Sequence, residues 1–194
     1  MKKIFFALCI LAAGCSSTTI INSWKAPDAV YTPEEFKKVL VLALIDNADA
    51  RKEAEDQIVS SNKALHPSYP LFAYQDFVKD SIKIKNMLKA DGYDGAVVMR
   101  LITTRTKSTF VQGGVNPAHT QNYIFYYNDY YKAGSVATDE YYIVATNFYS
   151  LKQNKVLWTG VTESANPKKL KKLIKGVSKE VGAKMREDQF IPAK

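Results

Sequence analysis

The side chains able to attack, ligate or transfer protons are few in this chain. Its two thiols are Cys9 and Cys15, and its two imidazoles are His66 and His119. Cys15 stands directly behind Ala12-Ala13-Gly14, a run of small residues, and Cys9 lies inside an apolar run. Neither histidine has a cysteine or a spaced set of carboxylates around it, so no metal is expected. His66, before Pro67, reads as a helix-end residue and His119 as a loop residue. Gly113-Gly114 lacks the lysine and hydroxyl of a phosphate loop, and no Gly-x-Ser-x-Gly or Ser-x-x-Lys arrangement supplies a nucleophile with a base. Asp91-Gly92-Tyr93-Asp94-Gly95 has two carboxylates but not the remaining ligands or terminal glutamate of a calcium loop. It reads as a helix-to-strand turn with its glycines at positive φ. A glycan hydrolase would use carboxylates such as Asp94 and Glu140, provided the fold brought two of them to about 5 to 10 Å. No catalytic residue and no cofactor is assigned.

The strongest binding candidate is the aromatic cluster Tyr123, Phe125, Tyr126, Tyr127, Tyr130 and Tyr131. Such rings stack on sugar faces, contact a protein partner or dip into a membrane interface, because tyrosine has an apolar body and a polar tip. Alternate tyrosines also suit one side of an edge strand, and both readings stand.

The elements that would present these residues begin with a leader. Met1-Lys2-Lys3 is basic, Ile4 to Ala13 is apolar, and the run is too short to span a bilayer, which needs about 20 apolar residues. The sequence Leu11-Ala12-Ala13-Gly14-Cys15 resembles the lipobox of bacterial lipoprotein precursors. The resemblance implies removal of residues 1–14, a diacylglyceryl thioether on Cys15, and acylation of the new amino terminus with chains such as palmitate. Several chains anchor stably where one holds marginally. Ser16, rather than Asp, after the lipidated cysteine implies by family analogy an outer-membrane, periplasm-facing location.

Composition agrees with an exported domain. An apolar share of 46% with 24% charged residues argues against wholesale disorder and against a polytopic membrane protein. The net charge is +8; loss of Lys2 and Lys3 leaves 25 basic against 19 acidic residues, or +6. For an exported protein the expected anions are lipid headgroups or envelope polymers rather than nucleic acid. With Cys9 in the leader, no internal disulfide is expected after processing.

Beyond the leader, residues 15–34 read as a lipid-anchored spacer with one short strand, and 35–194 as a single α/β domain. The continuous apolar run Val39 to Ile45 predicts a buried central strand. Helical patterns follow over Ala50–Leu65, with Arg51 and Glu55 off the apolar face, and over Asp80–Ala90, with Tyr69–Tyr74 extended between them. Ala96–Ile102 predicts another buried strand, Thr103–Asp139 is the least regular stretch, and Tyr141–Tyr149 with Lys155–Thr162 predicts a hairpin. Asn166 is expected to cap a final helix from Pro167 to Met185, whose apolar stripe packs on the sheet while its lysines face outward. The expected fold is therefore α/β, a mixed, partly parallel sheet flanked by helices, with a C-terminal hairpin and final helix.

The strand Val39–Ile45, the Asp91–Gly95 turn, and Lys155-Val156-Leu157-Trp158 followed by a terminal helix together resemble envelope lipoproteins of unassigned function. Among them are groups related to the amino-terminal domain of TolB and to the curli secretion lipoprotein. The resemblance implies a compact, non-enzymatic domain that binds an envelope protein or glycan. It also leaves open a subunit of a secretion or pore assembly, and the glycan hydrolase is the rival from the enzyme class.

Overall fold

A computed structural model of the chain describes residues 18–27, 29–32, 34–111 and 135–192. Its strands are β1 (Thr18–Lys25), β2 (Val39–Leu44), β3 (Leu65–Pro67), β4 (Gly95–Val111), β5 (Ser135–Ser150) and β6 (Lys155–Ala165). Its helices are α1 (Ala48–Val59), α2 (Tyr74–Lys79), α3 (Ser81–Ala90) and α4 (Leu170–Glu187). The strands form one mixed sheet in the order β1-β6-β5-β4-β2-β3, parallel where β2 meets β3 and β4 and antiparallel elsewhere. The fold is the α/β class expected, with the C-terminal hairpin β5–β6 and the final helix in place.

The unbroken run Val39–Leu44 lies between two parallel neighbours and is buried from Val39 to Ala43, because helices cover both of its faces. On one face α1 and α4 enclose a core that includes Val41, Met99, Phe148, Trp158, Val177 and Phe190. On the other, α2 and α3 cover only the β2–β4 side, through Leu40, Leu42, Phe72, Ile84 and Leu88. The stripe of α4 is buried as expected, at Leu173, Ile174, Val177, Val181 and Met185, while Lys168, Lys169, Lys171, Lys172, Lys175 and Lys179 are exposed.

Several local expectations are corrected. β1, expected as a short strand in a spacer, is an edge strand of the sheet, and Ala26 and Ala29 just after it enter the core. The first helix stops at Val59, so His66 stands in β3, with its ring edge-on to Tyr93 at 6.1 Å, and not at a helix end. Pro67, which has no N–H to donate, suits this edge strand. Part of the stretch expected to be extended starts α2, where Asp76 accepts from the Ala73 amide. Asp80 caps α3 by accepting from the Lys83 amide.

Asn166 does not cap α4. It adopts φ 47°, a left-handed conformation that asparagine tolerates, and its side chain turns to β5 instead. In the 91–95 turn only Gly92 takes positive φ, at 76°. Gly95 is required for closeness: a Cβ there would lie 3.0 Å from the Tyr149 carbonyl and 3.1 Å from the Phe36 ring.

Candidate functional site

The longest strands of the sheet outrun their neighbours. β2 ends where Leu44 faces Arg100, and β6 ends where Ala165 faces Tyr141, yet β4 and β5 stay paired to Val111 and Ser135. From Thr106–Glu140 outward they form a two-stranded arm reaching roughly 20 Å past β6, at about 3.3 Å per residue. The departure is marked by a bulge at Ile102, and bulges bend a strand and raise its twist.

The arm is wet on both faces. Every side chain from Leu101 to Phe110 is exposed, as are Val136, Ala137, Thr138 and Glu140. Its residues explain why it stays a strand without a core: Thr106 and Thr109 are β-branched, and Lys107 faces Asp139 across the ribbon. Near the tip Phe110 and Val136 sit opposite each other, 69% and 65% exposed, an apolar pair with nothing over it among the described residues.

The base, by contrast, is clamped. The Asn166 amide donates to the Glu140 carbonyl at 2.8 Å, its Oδ1 accepts from the Glu140 amide at 2.8 Å, and its Nδ2 donates to Asp139 Oδ1 at 2.7 Å. Arg105 pairs with Glu163 and lies over the Tyr141 ring at 5.3 Å. The arm is thus a positioned projection of the sheet.

Of the residues singled out in the sequence, Tyr123, Phe125, Tyr126, Tyr127, Tyr130 and Tyr131 lie outside the described residues, in the stretch of chain that joins β4 to β5. Cys15 and His119 also lie outside them. Asp94 and Glu140 are not brought together. Asp94 is next to Gly95, opposite Ser150, and Glu140 is ten residues along β5 from Ser150, roughly 30 Å away along the strand. A glycosidase pair works at about 5 to 10 Å, so this pair cannot act as one.

Asp94 has a structural task. Its Oδ2 accepts from the Lys37 and Lys38 amides at 3.0 and 3.2 Å, and Lys152 Nζ is 3.2 Å from Oδ1. Burial alone would raise its pKa, but the bonds from Lys152 and the two amides outweigh burial and hold the carboxyl below the usual carboxylate value. It clips the entry to β2 to the β5–β6 turn.

Sequence reasoning missed a second buried cluster. Arg51 and Glu55, expected off the buried face of α1, are 3% and 0% exposed. Glu55 Oε1 accepts from the Ala43 amide, Arg51 Nε and Ser68 Oγ at 3.1, 3.0 and 2.7 Å, and Oε2 accepts from the amides of Ser68 and Tyr69 at 2.6 and 2.9 Å. Arg51 completes its fork on Ser68 Oγ at 2.6 Å and the Phe72 carbonyl at 3.0 Å. Every strong group in this cluster is satisfied, which makes it a pin between α1, β2 and the chain after β3. It leaves no free base or acid for chemistry.

Among the described residues no group of three or more histidine, cysteine or carboxylate side chains is placed to hold a metal ion, and no helix is long and apolar enough to cross a membrane. No family model matches the chain, and no curated protein sequence matches it. Solved structures do match, two of them of one protein.

The chain is similar to PelC of Paraburkholderia phytofirmans. A PelC dodecamer in space group P6 matches at 11% identity over 85% of this chain and 95% of that one, with a TM-score of 0.44. A dodecamer of a single-substitution PelC variant in space group C2 matches at 11% identity over 92% and 100%, with a TM-score of 0.47. Likeness to PelC at that level carries no argument about activity or partners.

Proposed function

We propose that the chain is a lipid-anchored protein of the cell envelope, held through Cys15 at the periplasmic face of the outer membrane, and that its domain is a non-enzymatic binding and assembly module. The observation that carries this reading is the β4–β5 arm. A two-stranded ribbon alone in water is marginally stable at best, and its unpaired edges are templates for a further strand. An arm that is clamped at its base and, among the described residues, uncovered along its length suits a partner that covers it. Tyr123, Phe125, Tyr126, Tyr127, Tyr130 and Tyr131, which lie between β4 and β5 in the sequence, are proposed to bind the same partner.

The arrangement around the anchor supports the envelope location. Thr18, three residues after Cys15, is tied to Ser164 through a hydroxyl pair at 2.9 Å. Exposed Lys168, Lys169, Lys171 and Lys172 follow shortly in the chain, and the arm leaves the sheet at this same end. Anionic headgroups favour each nearby lysine by about 1 kcal/mol.

A second reading, a subunit of a self-assembled secretion or pore ring, is favoured by the two strand edges that the arm leaves unpaired among the described residues, since head-to-tail pairing of unlike surfaces gives a ring when its rotation closes. The native mass of the detergent-extracted full-length protein tests both. A multiple of the chain mass supports the ring, and a complex with a different protein supports the binding module. A monomer unaltered by deleting the arm rejects both.

A further inference from the structure

The uncovered part of the second sheet face contains a cleft. Between α2–α3 and the β5–β6 turn a space of about 580 Å³ remains, within the range of small-molecule sites. Its floor is Leu42, Leu44, Ala96 and Val98, and Phe77 and Ile84 stand over it. Leu44 and Val98 are only half-buried, so part of this floor meets water.

Ser81, Asn147, Tyr149, Ser150 and Asn154 supply neutral polar groups, and the charged groups have one sign. Lys85, Arg100 and Lys155 line the cleft and no aspartate or glutamate does. Lys85 donates to Asn154 Oδ1 at 3.2 Å. Arg100, at the end of the floor where Leu44 faces it, is exposed and makes no ion pair among the described residues.

These features select the occupant. A peptide strand would need open backbone groups, but β4 is paired to β2 and β5 across this floor, and β2 is paired to β3 as far as Val41, beyond which the Ala43 amide donates to Glu55. A cation is repelled by three like charges, and a sugar lying on the floor of Leu42, Leu44, Ala96 and Val98 would leave the hydroxyls of that face without partners. What remains is an apolar chain with one anionic end. A guanidinium matches a carboxylate with two parallel hydrogen bonds.

We infer that the cleft binds a long-chain alkyl carboxylate, its hydrocarbon on Leu42, Leu44, Val98 and Ile84 and its carboxylate on Arg100. This site is separate from the arm, and it stands or falls independently of the assembly reading.

The test is displacement of a dansyl-labelled fatty acid from the full-length chain carrying Cys15→Ser, which removes the thiol read as the lipidation site. Palmitate should displace the probe, and octanoate should be weaker by far more than a hundredfold, since each buried methylene is worth roughly fourfold. Hexadecanol should be weaker than palmitate by roughly tenfold, and Arg100→Gln should cost the same factor for palmitate alone. Val98→Trp, which fills the floor, should abolish probe binding while circular dichroism stays native. If Val98→Trp unfolds, Ile84→Trp replaces it with the same expected loss. No probe binding by the folded chain overturns the inference. So does equal affinity for palmitate and hexadecanol, or full binding by a folded cleft-filled variant. A change in oligomeric mass on filling the cleft, without any probe binding, would make it an interface between copies and overturn it equally.

Discussion

Glu55→Gln is the sharpest test of how the domain is held together. The substitution keeps size and shape but turns one acceptor oxygen into an NH₂ group. Oε1 accepts three bonds and Oε2 two, so the least damaging orientation aims the new donors at the amides of Ser68 and Tyr69. Those amides then face a donor, at about 1 to 3 kcal/mol for an unsatisfied buried group. Arg51, 3% exposed, also loses its counter-ion, and a buried charge left unpaired costs about 3 to 5 kcal/mol.

The two costs overlap, because the amide oxygen still accepts from Arg51. We therefore expect a loss of at least about 3 kcal/mol, which for a domain of this size lowers Tm by about 6 to 12 °C. Urea unfolding followed by circular dichroism reads the change, with Asp56→Asn as the neighbouring control. Asp56 pairs with Lys52 at the surface, where the side chains are 44% and 55% exposed, so the control should cost less than about 1 kcal/mol. A Glu55→Gln protein within about 1 kcal/mol of wild type would refute the claim that this cluster pins α1 to the sheet.

The remaining predictions concern packing and pH. Gly160→Ala places a Cβ 2.3 Å from the buried Trp158 ring, so it should destabilise by about 1 to 3 kcal/mol in thermal melts, with a red-shifted tryptophan emission as the ring is displaced. Asp94 and Asp188 both titrate below their ordinary value in the folded state. At Asp188 burial raises the pKa, but bonds from Trp158, Lys184 and Ser23 outweigh it. A carboxyl lowered on folding stabilises fully above its unfolded pKa of about 3.9 and loses that contribution as pH falls through its folded value. Tm should therefore drop below about pH 4, and the Asp94→Asn, Asp188→Asn double variant should have a shallower acid limb; parallel limbs would contradict these roles.

How much of this was legible in the sequence depended on whether apolar periodicity carried the signal. Val39–Leu44 was readable because a strand buried on both faces is apolar throughout, and α4 because its stripe is regular. The arm was not, because an exposed ribbon has no apolar face to alternate, and its Thr, Arg and Lys residues look like a loop. Arg51 and Glu55 were placed outside the core because charges are buried only when paired, and their partners Ser68 and the Phe72 carbonyl come from distant chain. Asn166 before Pro167 satisfied a capping rule, yet its side chain found better partners on β5. For the candidate site, the tyrosine cluster lies outside the described residues, and the strands on either side of it became visible only as a sheet.

The central claim is that the arm is a docking element, and photo-crosslinking in living cells tests it most directly. A photoreactive residue at Phe110 or Val136 should give a discrete adduct, to another copy of the chain or to one partner protein. The same residue at Val78 or Ile82, equally exposed on α2 and α3 at 65% and 66%, should give none. Silence at both arm positions, or the same adducts from α2 and α3, would contradict the account.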